Sequence, residues 1–302
     1  MTTPMPTVHV NGIDIWYETH GAGPGQPSVG QGPGPDRTPL VLTHGFAGPI
    51  DNWRPEILPL AERRPLVLYD VRGHGRTSVP PDAAQYSLPG FASDLAGLLK
   101  AIGIERAHMG GVSMGGMVTA QFAVDYPGMC ESVLLCDTTC GNGRDGGAAG
   151  DWERQLRMGI TLLAQGVREY GLEETLRREQ EWKKANDPHL DESPYSFQED
   201  FERIRLMTVE GYVGAAHAIA TRPDLTQRIG AIRAPTLVMI GAWDGFLPCA
   251  RRDHALIPGS RLVVRQRCGH GSRWRAETFL SEMEAFLADV EAGRPVAGER
   301  EV

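Results

Sequence analysis

A chain of 302 residues, 41% hydrophobic and 23% charged, is long enough to bury a sizeable core and has the balance of an ordinary globular protein. Its net charge of −8 and pI near 5.6 argue against nucleic acid or an anionic membrane as a main partner. No apolar run approaches the ~20 residues that span a bilayer, and Met1–Pro6 carries neither the basic nor the apolar part of a secretion leader, so a cytoplasmic protein is expected.

Five cysteines, Cys130, Cys136, Cys140, Cys249 and Cys268, form an odd set with no C-x-x-C pair. Reduced, buried thiols are expected from that pattern. No cysteine and histidine cluster has ligand spacing, so no metal is expected.

Along the chain, Val8–Val10 and Ile13–His20 alternate in polarity around Asn11-Gly12, the signature of a β-hairpin. Gly21–Arg37 is rich in glycine and proline and reads as a mobile surface loop. Leu40–Thr43 is a short apolar strand running into His44-Gly45-Phe46, and a helix should follow, with Asp51 or Asn52 as its N-cap. Pro65–Asp70 is the next buried strand. Tyr86–Ile102 carries helical periodicity through Phe91, Leu95, Leu98, Leu99 and Ile102. An apolar segment then enters Met109–Gly116, a helix leaves through Val118–Tyr126, and Ser132–Asp137 is a further buried strand. Apolar strands alternating with helices imply a mostly parallel sheet covered on both faces, an α/β fold.

The alternation stops after Asp137. Gly141–Gly150 reads as a glycine-rich linker, and Asp151 to about Ile229 as helix, including one run from Val167 to Trp182. Strands return at Ala234–Gly241 and Arg261–Arg265, followed by a last helix over Ala276–Val290 and a frayed tail from Ala292. The expected organisation is a core over 1–140, an inserted helical cap over 141–229, and the rest of the core over 230–302.

The chemistry gathers at strand ends. Gly111-Val-Ser113-Met-Gly115 sits between strand and helix, where a sharp turn strains the tip residue and flanking glycines remove clashing side chains. A serine there needs a base and a group to orient that base. Asp244 follows the strand ending at Gly241, and His270 lies between Gly269 and Gly271 after the strand ending near Arg265. Both belong where the crevice of an α/β sheet opens. The backbone N–H groups of Phe46 and Met114 are placed to receive an oxyanion. Asp137 also ends a core strand and is the rival acid. Asp70 and Arg72 are expected to tie down their own glycine-rich turn, and His44 to be structural. In the helical block, Trp152, Trp182, Tyr195, Tyr212 and His217 are candidate pocket residues. Arg273 and Arg275 are expected to be solvated rather than to hold an anionic substrate group.

These motifs, His44-Gly45-Phe46, Asp70-Val-Arg-Gly-His-Gly75, Gly111–Gly116, Pro235–Gly241 with Asp244, and Gly269-His270, together resemble the α/β-hydrolase family with a helical cap. The resemblance is distributed over Val8–Leu287 outside the cap and implies a serine hydrolase with Ser113 as nucleophile, His270 as base and Asp244 as acid. These motifs are not specific for substrate; a small-molecule ester or lactone is the expectation adopted. Nor is a cofactor expected, since the serine chemistry read from the motifs needs none. Relatives acting on epoxides or haloalkanes have aspartate at the elbow, so Ser113 argues against those chemistries. Enol-lactonases and C–C bond hydrolases share the serine and stay open, as does a sensor of low turnover on the same fold; Phe46-Ala47-Gly48-Pro49 gives partial support to the C–C reading. A homodimer is left open.

Overall fold

A computed structural model describes residues 6–21 and 38–302. The expected mobile loop at Gly21–Arg37 falls, but for Gly21, outside the described residues. The strands are β1 (Thr7–Val10), β2 (Ile13–His20), β3 (Leu40–Thr43), β4 (Leu66–Tyr69), β5 (Ala107–Val112), β6 (Cys130–Cys136), β7 (Thr236–Gly241), β8 (Arg261–Arg265) and β9 (Gly298–Glu301). The α-helices are α1 (Ile50–Ile57), α2 (Leu88–Ala101), α3 (Met114–Asp125), α4 (Gly147–Tyr170), α5 (Leu172–Asn186), α6 (Phe197–Ile204), α7 (Val209–Ala220), α8 (Leu247–Leu256) and α9 (Ala276–Glu291).

One sheet runs in the order β1-β2-β4-β3-β5-β6-β7-β8-β9, antiparallel at β1–β2 and β2–β4 and parallel from there on. The hairpin closes at Val10–Ile13 through Asn11 and Gly12, both with positive φ (49° and 74°), as a tight turn between right-twisted strands requires. Apolar residues occupy both faces of the central strands. Val41, Val67 and Val238 join the layer filled by Phe91, Leu95 and Leu98 of α2, Val118 and Phe122 of α3, and Cys249 of α8. Leu40, Leu42, Leu66, Leu68, Leu237 and Met239 face the other way, onto Ile50 and Ile57 of α1 and Phe279, Phe286 and Leu287 of α9. Because successive side chains point to opposite faces and both faces are covered, the strands read as apolar runs.

Four details differ from expectation. Helix α1 begins at Ile50 with Pro49 at its N-cap, so neither Asp51 nor Asn52 caps it; the Ile50 N–H donates instead to Asp70 Oδ1 at 2.9 Å. Helix α4 starts at Gly147, inside the expected linker, where Gly150 packs so close that a Cβ would stand 1.8 Å from the Asp145 carbonyl oxygen. The run from Val167 to Trp182 is interrupted at Gly171, whose φ of 82° ends α4 and redirects the chain into α5. The tail is not frayed throughout: β9 extends the sheet beside β8, with the Val302 N–H donating to Val264 O at 3.0 Å and the Gln266 N–H to Val302 O at 2.7 Å. Its polar sequence, Gly-Glu-Arg-Glu, suits an exposed edge strand, where charge blocks further pairing.

Helices α4–α7 form a block between β6 and β7, with α4 lying along α7. The block is seated tightly on the core. Gly211 of α7 approaches the Gly73 carbonyl so closely that a Cβ would lie 2.0 Å from it, and Gly214 rests on the Tyr86 ring. On the opposite side, fully buried Glu153 of α4 accepts from the Gly143 N–H (2.8 Å), from Arg252 of α8 (2.8 Å) and from Thr139 Oγ1 after β6. Among the described residues no helix is long and apolar enough to cross a membrane.

Candidate active site

Ser113 follows β5 and caps α3 in a conformation that L side chains rarely adopt, φ 57° and ψ −119°. Backbone bonds hold it there: its N–H donates to Cys136 O (3.0 Å), and its carbonyl accepts from the Met117 N–H (3.0 Å) and Thr138 Oγ1 (2.7 Å). The surrounding glycines are required by space. A Cβ on Gly111 would lie 2.2 Å from the Gly115 carbonyl oxygen, and one on Gly115 would lie 2.1 Å from that of Thr43. A side chain at Gly111 would push α3 away from β5, and one at Gly115 would push it away from the end of β3.

Three side chains from three strand ends then meet. His270 Nε2 lies 2.9 Å from Ser113 Oγ, and its Nδ1 lies 2.8 Å from Asp244 Oδ2. Asp244 is buried, and its other oxygen accepts from the Phe246 N–H at 2.9 Å, which fixes the carboxylate plane. Backbone bonds from Ala242 to Arg265 O and from Trp243 to Cys268 O stitch the two loops together. Desolvation pulls the His270 pKa down, but the charge of Asp244 and its hydrogen bond outweigh it, so the imidazolium is held above the ordinary histidine value of 6.5.

Asp137 does not compete for the imidazole. Its Oδ2 receives Arg265 Nη2 at 3.0 Å, its Oδ1 accepts from the Gly241 N–H at 3.0 Å, and both members of the pair are fully buried. Arg265 also donates to the carbonyls of Gly271 (3.2 Å) and Trp274 (2.7 Å), and so supports the histidine loop from beneath.

Phe46 and Met114 present backbone N–H groups that are committed to no backbone hydrogen bond among the described residues. Gly45 brings the first of these against the elbow, since a Cβ there would lie 3.6 Å from Ser113 Cβ. Two buried histidines shape this turn. His44 Nε2 accepts from the Val71 N–H (2.9 Å), so its Nδ1–H donates to Gly45 O (2.8 Å). His74 Nε2 accepts from the N–H of Ala47, a residue with φ 54° (3.3 Å). Burial lowers the pKa of His44 to about 3 and that of His74 to about 4, so both are neutral struts. Asp70 ties its turn, accepting from the Arg76 N–H at 3.0 Å as well as from Ile50. Arg72 does not: its guanidinium forms a bidentate pair with Asp94 of α2, both contacts 2.8 Å.

The block residues divide. Tyr212 is buried with its ring edge-on to Phe46, centroids 4.6 Å apart. Trp152 covers Gly245 and stands edge-on to Phe246, whose ring in turn lies 5.4 Å from that of His270. Tyr195 reaches the histidine loop, where a Cβ on Gly271 would lie 2.6 Å from its hydroxyl oxygen. Trp182, 65% exposed on α5, is not a pocket residue, because the helix turns that side outward. His217 is exposed on α7, where its carbonyl accepts from the Thr221 N–H (2.9 Å) and hydroxyl (2.8 Å). Arg273 is not simply solvated: it pairs with Glu56 (3.1 Å) and Glu199 (2.9 Å). Arg275 donates to Gln266 O at 3.2 Å. Sequence reasoning missed Phe246 and Arg265, each of which owes its place to contacts between distant segments. Among the described residues no group of histidine, cysteine and acidic side chains could hold a metal ion.

A family model described as the alpha/beta hydrolase fold matches residues 38–274. A putative carbamate hydrolase of Azorhizobium caulinodans is 30% identical over 258 residues, covering 84% of this chain and 82% of that protein. A 2-hydroxy-6-oxo-6-phenylhexa-2,4-dienoate hydrolase of Comamonas testosteroni is 30% identical over 251 residues, covering 80% and 84%. Among solved structures, a thermophilic esterase from Thermogutta terrifontis superposes with a TM-score of 0.73 at 26% identity, covering 95% of this chain and 97% of that one.

Proposed function

From a chain that belongs to the alpha/beta hydrolase fold family, we propose a serine hydrolase that cleaves a carboxylic ester of a small to medium organic substrate through an acyl-enzyme. The observation that carries this reading is the unbroken hydrogen-bonded run from Ser113 Oγ through His270 to Asp244. Ser113 Oγ attacks the acyl carbonyl carbon as His270 Nε2 takes its proton. Asp244 holds the Nδ1–H tautomer and stabilises the imidazolium that forms. The N–H groups of Phe46 and Met114 receive the oxyanion, each donor typically worth about 3 kcal/mol. His270 then protonates the leaving alkoxide, and water repeats the sequence on the acyl-enzyme. In this reading residues 141–229 serve as the cap over the pocket. Five free, buried cysteines suit a reducing, cytoplasmic setting.

A fluorophosphonate probe tests the reading directly. It should label Ser113 stoichiometrically, and a protein left unlabelled after prolonged exposure would be a sensor on this fold rather than an enzyme. Cleavage of a carbon–carbon bond is the second reading, favoured by the Comamonas relative, and a vinylogous diketone substrate in place of the ester separates the two.

The pH dependence has a definite sign. His270 must be neutral to act as base, and its pKa is held above 6.5 by Asp244, so kcat/KM should rise with pH with a midpoint above 6.5. The stabilisation from the charged His270–Asp244 pair runs oppositely: it is full below 6.5 and is lost as pH rises through the higher folded value. A kcat/KM profile with its midpoint below 6.5 would contradict the assignment of His270.

A further inference from the structure

Two side chains of the helical block reach the two loops that frame Ser113, and neither has its donors satisfied. Tyr195, between α5 and α6, sets its hydroxyl against Gly271, directly after His270, and that hydroxyl makes no hydrogen bond among the described residues. Its ring is braced by Arg273, whose Cζ lies 5.0 Å from the ring centroid, and by Arg203, at 5.8 Å. Arg203 of α6 crosses to the other loop, where its Cδ would stand 3.6 Å from a Cβ on Gly48, two residues beyond Phe46. The two arginines differ in availability. Arg273 is engaged by both Glu56 and Glu199. Among the described residues Arg203 reaches one acceptor, Asp200 at 3.0 Å, and its Nε is buried with no partner. A buried N–H left unpaired is costly, so an acceptor that reaches it is favoured. Burial also pushes the Tyr195 phenol up to about 12, so it remains a donor throughout the working range.

We infer that Tyr195 and Arg203 form an acceptor-binding subsite that selects substrates carrying a second oxygen acceptor, a carboxylate or an ester carbonyl, away from the scissile bond. This rests on the serine-hydrolase reading above and gives it a substrate class. A guanidinium has donors and no acceptor, and the phenol adds an O–H donor, so together they favour an oxygen with lone pairs over a plain alkyl end. The same geometry explains why Tyr195 and Arg203 lie on the block and not on the sheet: specificity is carried by the inserted helices, while the reacting groups are fixed by the strand ends.

The test compares three p-nitrophenyl esters of matched acyl length, ending in methyl, in a methyl ester and in a free carboxylate. Wild-type protein should prefer both acceptor-bearing esters, measured as kcat/KM relative to the alkyl ester. Tyr195→Phe, which removes only the hydroxyl, should reduce that preference by about 3- to 10-fold, and Arg203→Met should reduce it about tenfold or more, with the carboxylate most affected. Arg203→Lys should restore part of the carboxylate preference. Binding of glutarate and monomethyl glutarate to the wild type and to Tyr195→Phe, by calorimetry, is read independently of turnover. Turnover without acceptor preference, or a preference that both variants keep, overturns the subsite and leaves the hydrolase. Tyr195-dependent binding of glutarate with no hydrolysis of any ester overturns the hydrolase and keeps the subsite. Neither turnover nor binding overturns both.

Discussion

Replacing Ser113 by alanine should lower ester turnover by about 10⁴-fold or more, because removal of a serine nucleophile leaves only the oxyanion donors and binding to act. The change deletes one oxygen that the fold does not use. Ser113 is held by its backbone, through Cys136 O, the Met117 N–H and the Thr138 hydroxyl, and among the described residues its side-chain oxygen hydrogen-bonds only with His270. Alanine at φ 57° keeps the strain that serine already carries, so the midpoint of chemical denaturation should move little. Steady-state kinetics on p-nitrophenyl esters and a denaturation curve on the same preparation check both halves. Activity within tenfold of wild type would remove Ser113 from the mechanism, whatever its geometry.

The three side chains that meet in the structure were legible because their positions follow from chain grammar. Each of Ser113, Asp244 and His270 ends an apolar strand at a glycine-bearing turn, and local patterns mark such ends. What lies between elements was not legible. Arg265 meets Asp137 across 128 residues of sequence, and nothing in Arg261–Arg265 distinguishes its last arginine from a solvated strand end. Trp182 shows the converse. An aromatic on a helix announces bulk but not direction, and α5 carries so many charges that its weak periodicity does not say which side faces the core. Tyr212 and Trp152 came out against Phe46 and Phe246 and Trp182 in solvent, although the sequence offers them on equal terms. Strand β9 was missed for a related reason: an edge strand satisfied by backbone pairing needs no apolar residues, so Gly298–Glu301 carries no pattern to read.

Asp137→Ala should cost about 3–5 kcal/mol of stability, the penalty for leaving a buried partner charge uncompensated. The carboxylate answers the Arg265 guanidinium where neither has access to water, and the Gly241 N–H, which donates to its other oxygen, would be orphaned as well. Arg265 has other partners, the carbonyls of Gly271 and Trp274, and its Cζ lies 5.1 Å from the Phe279 ring centroid, but its Nε is already buried without one. Arg265 is fully buried, so in the native packing no bulk water stands beside it to make up the loss. Alanine also inherits the left-handed backbone of Asp137 (φ 46°), where aspartate and asparagine are better tolerated. Asp137→Asn should therefore be milder, keeping an oxygen for Gly241 and losing the charge, while Asp137→Ala/Arg265→Met should recover part of the alanine penalty by removing the stranded cation. Urea denaturation of the three variants measures this ordering. A single alanine variant within about 1 kcal/mol of wild type would mean that Arg265 finds water or another acceptor on its own. Because Arg265 holds the Gly271 carbonyl, one residue past His270, the same variants should lose activity in proportion as the histidine loop loosens, which separates Asp137 from Asp244: the first acts on the loop, the second on the imidazole it carries.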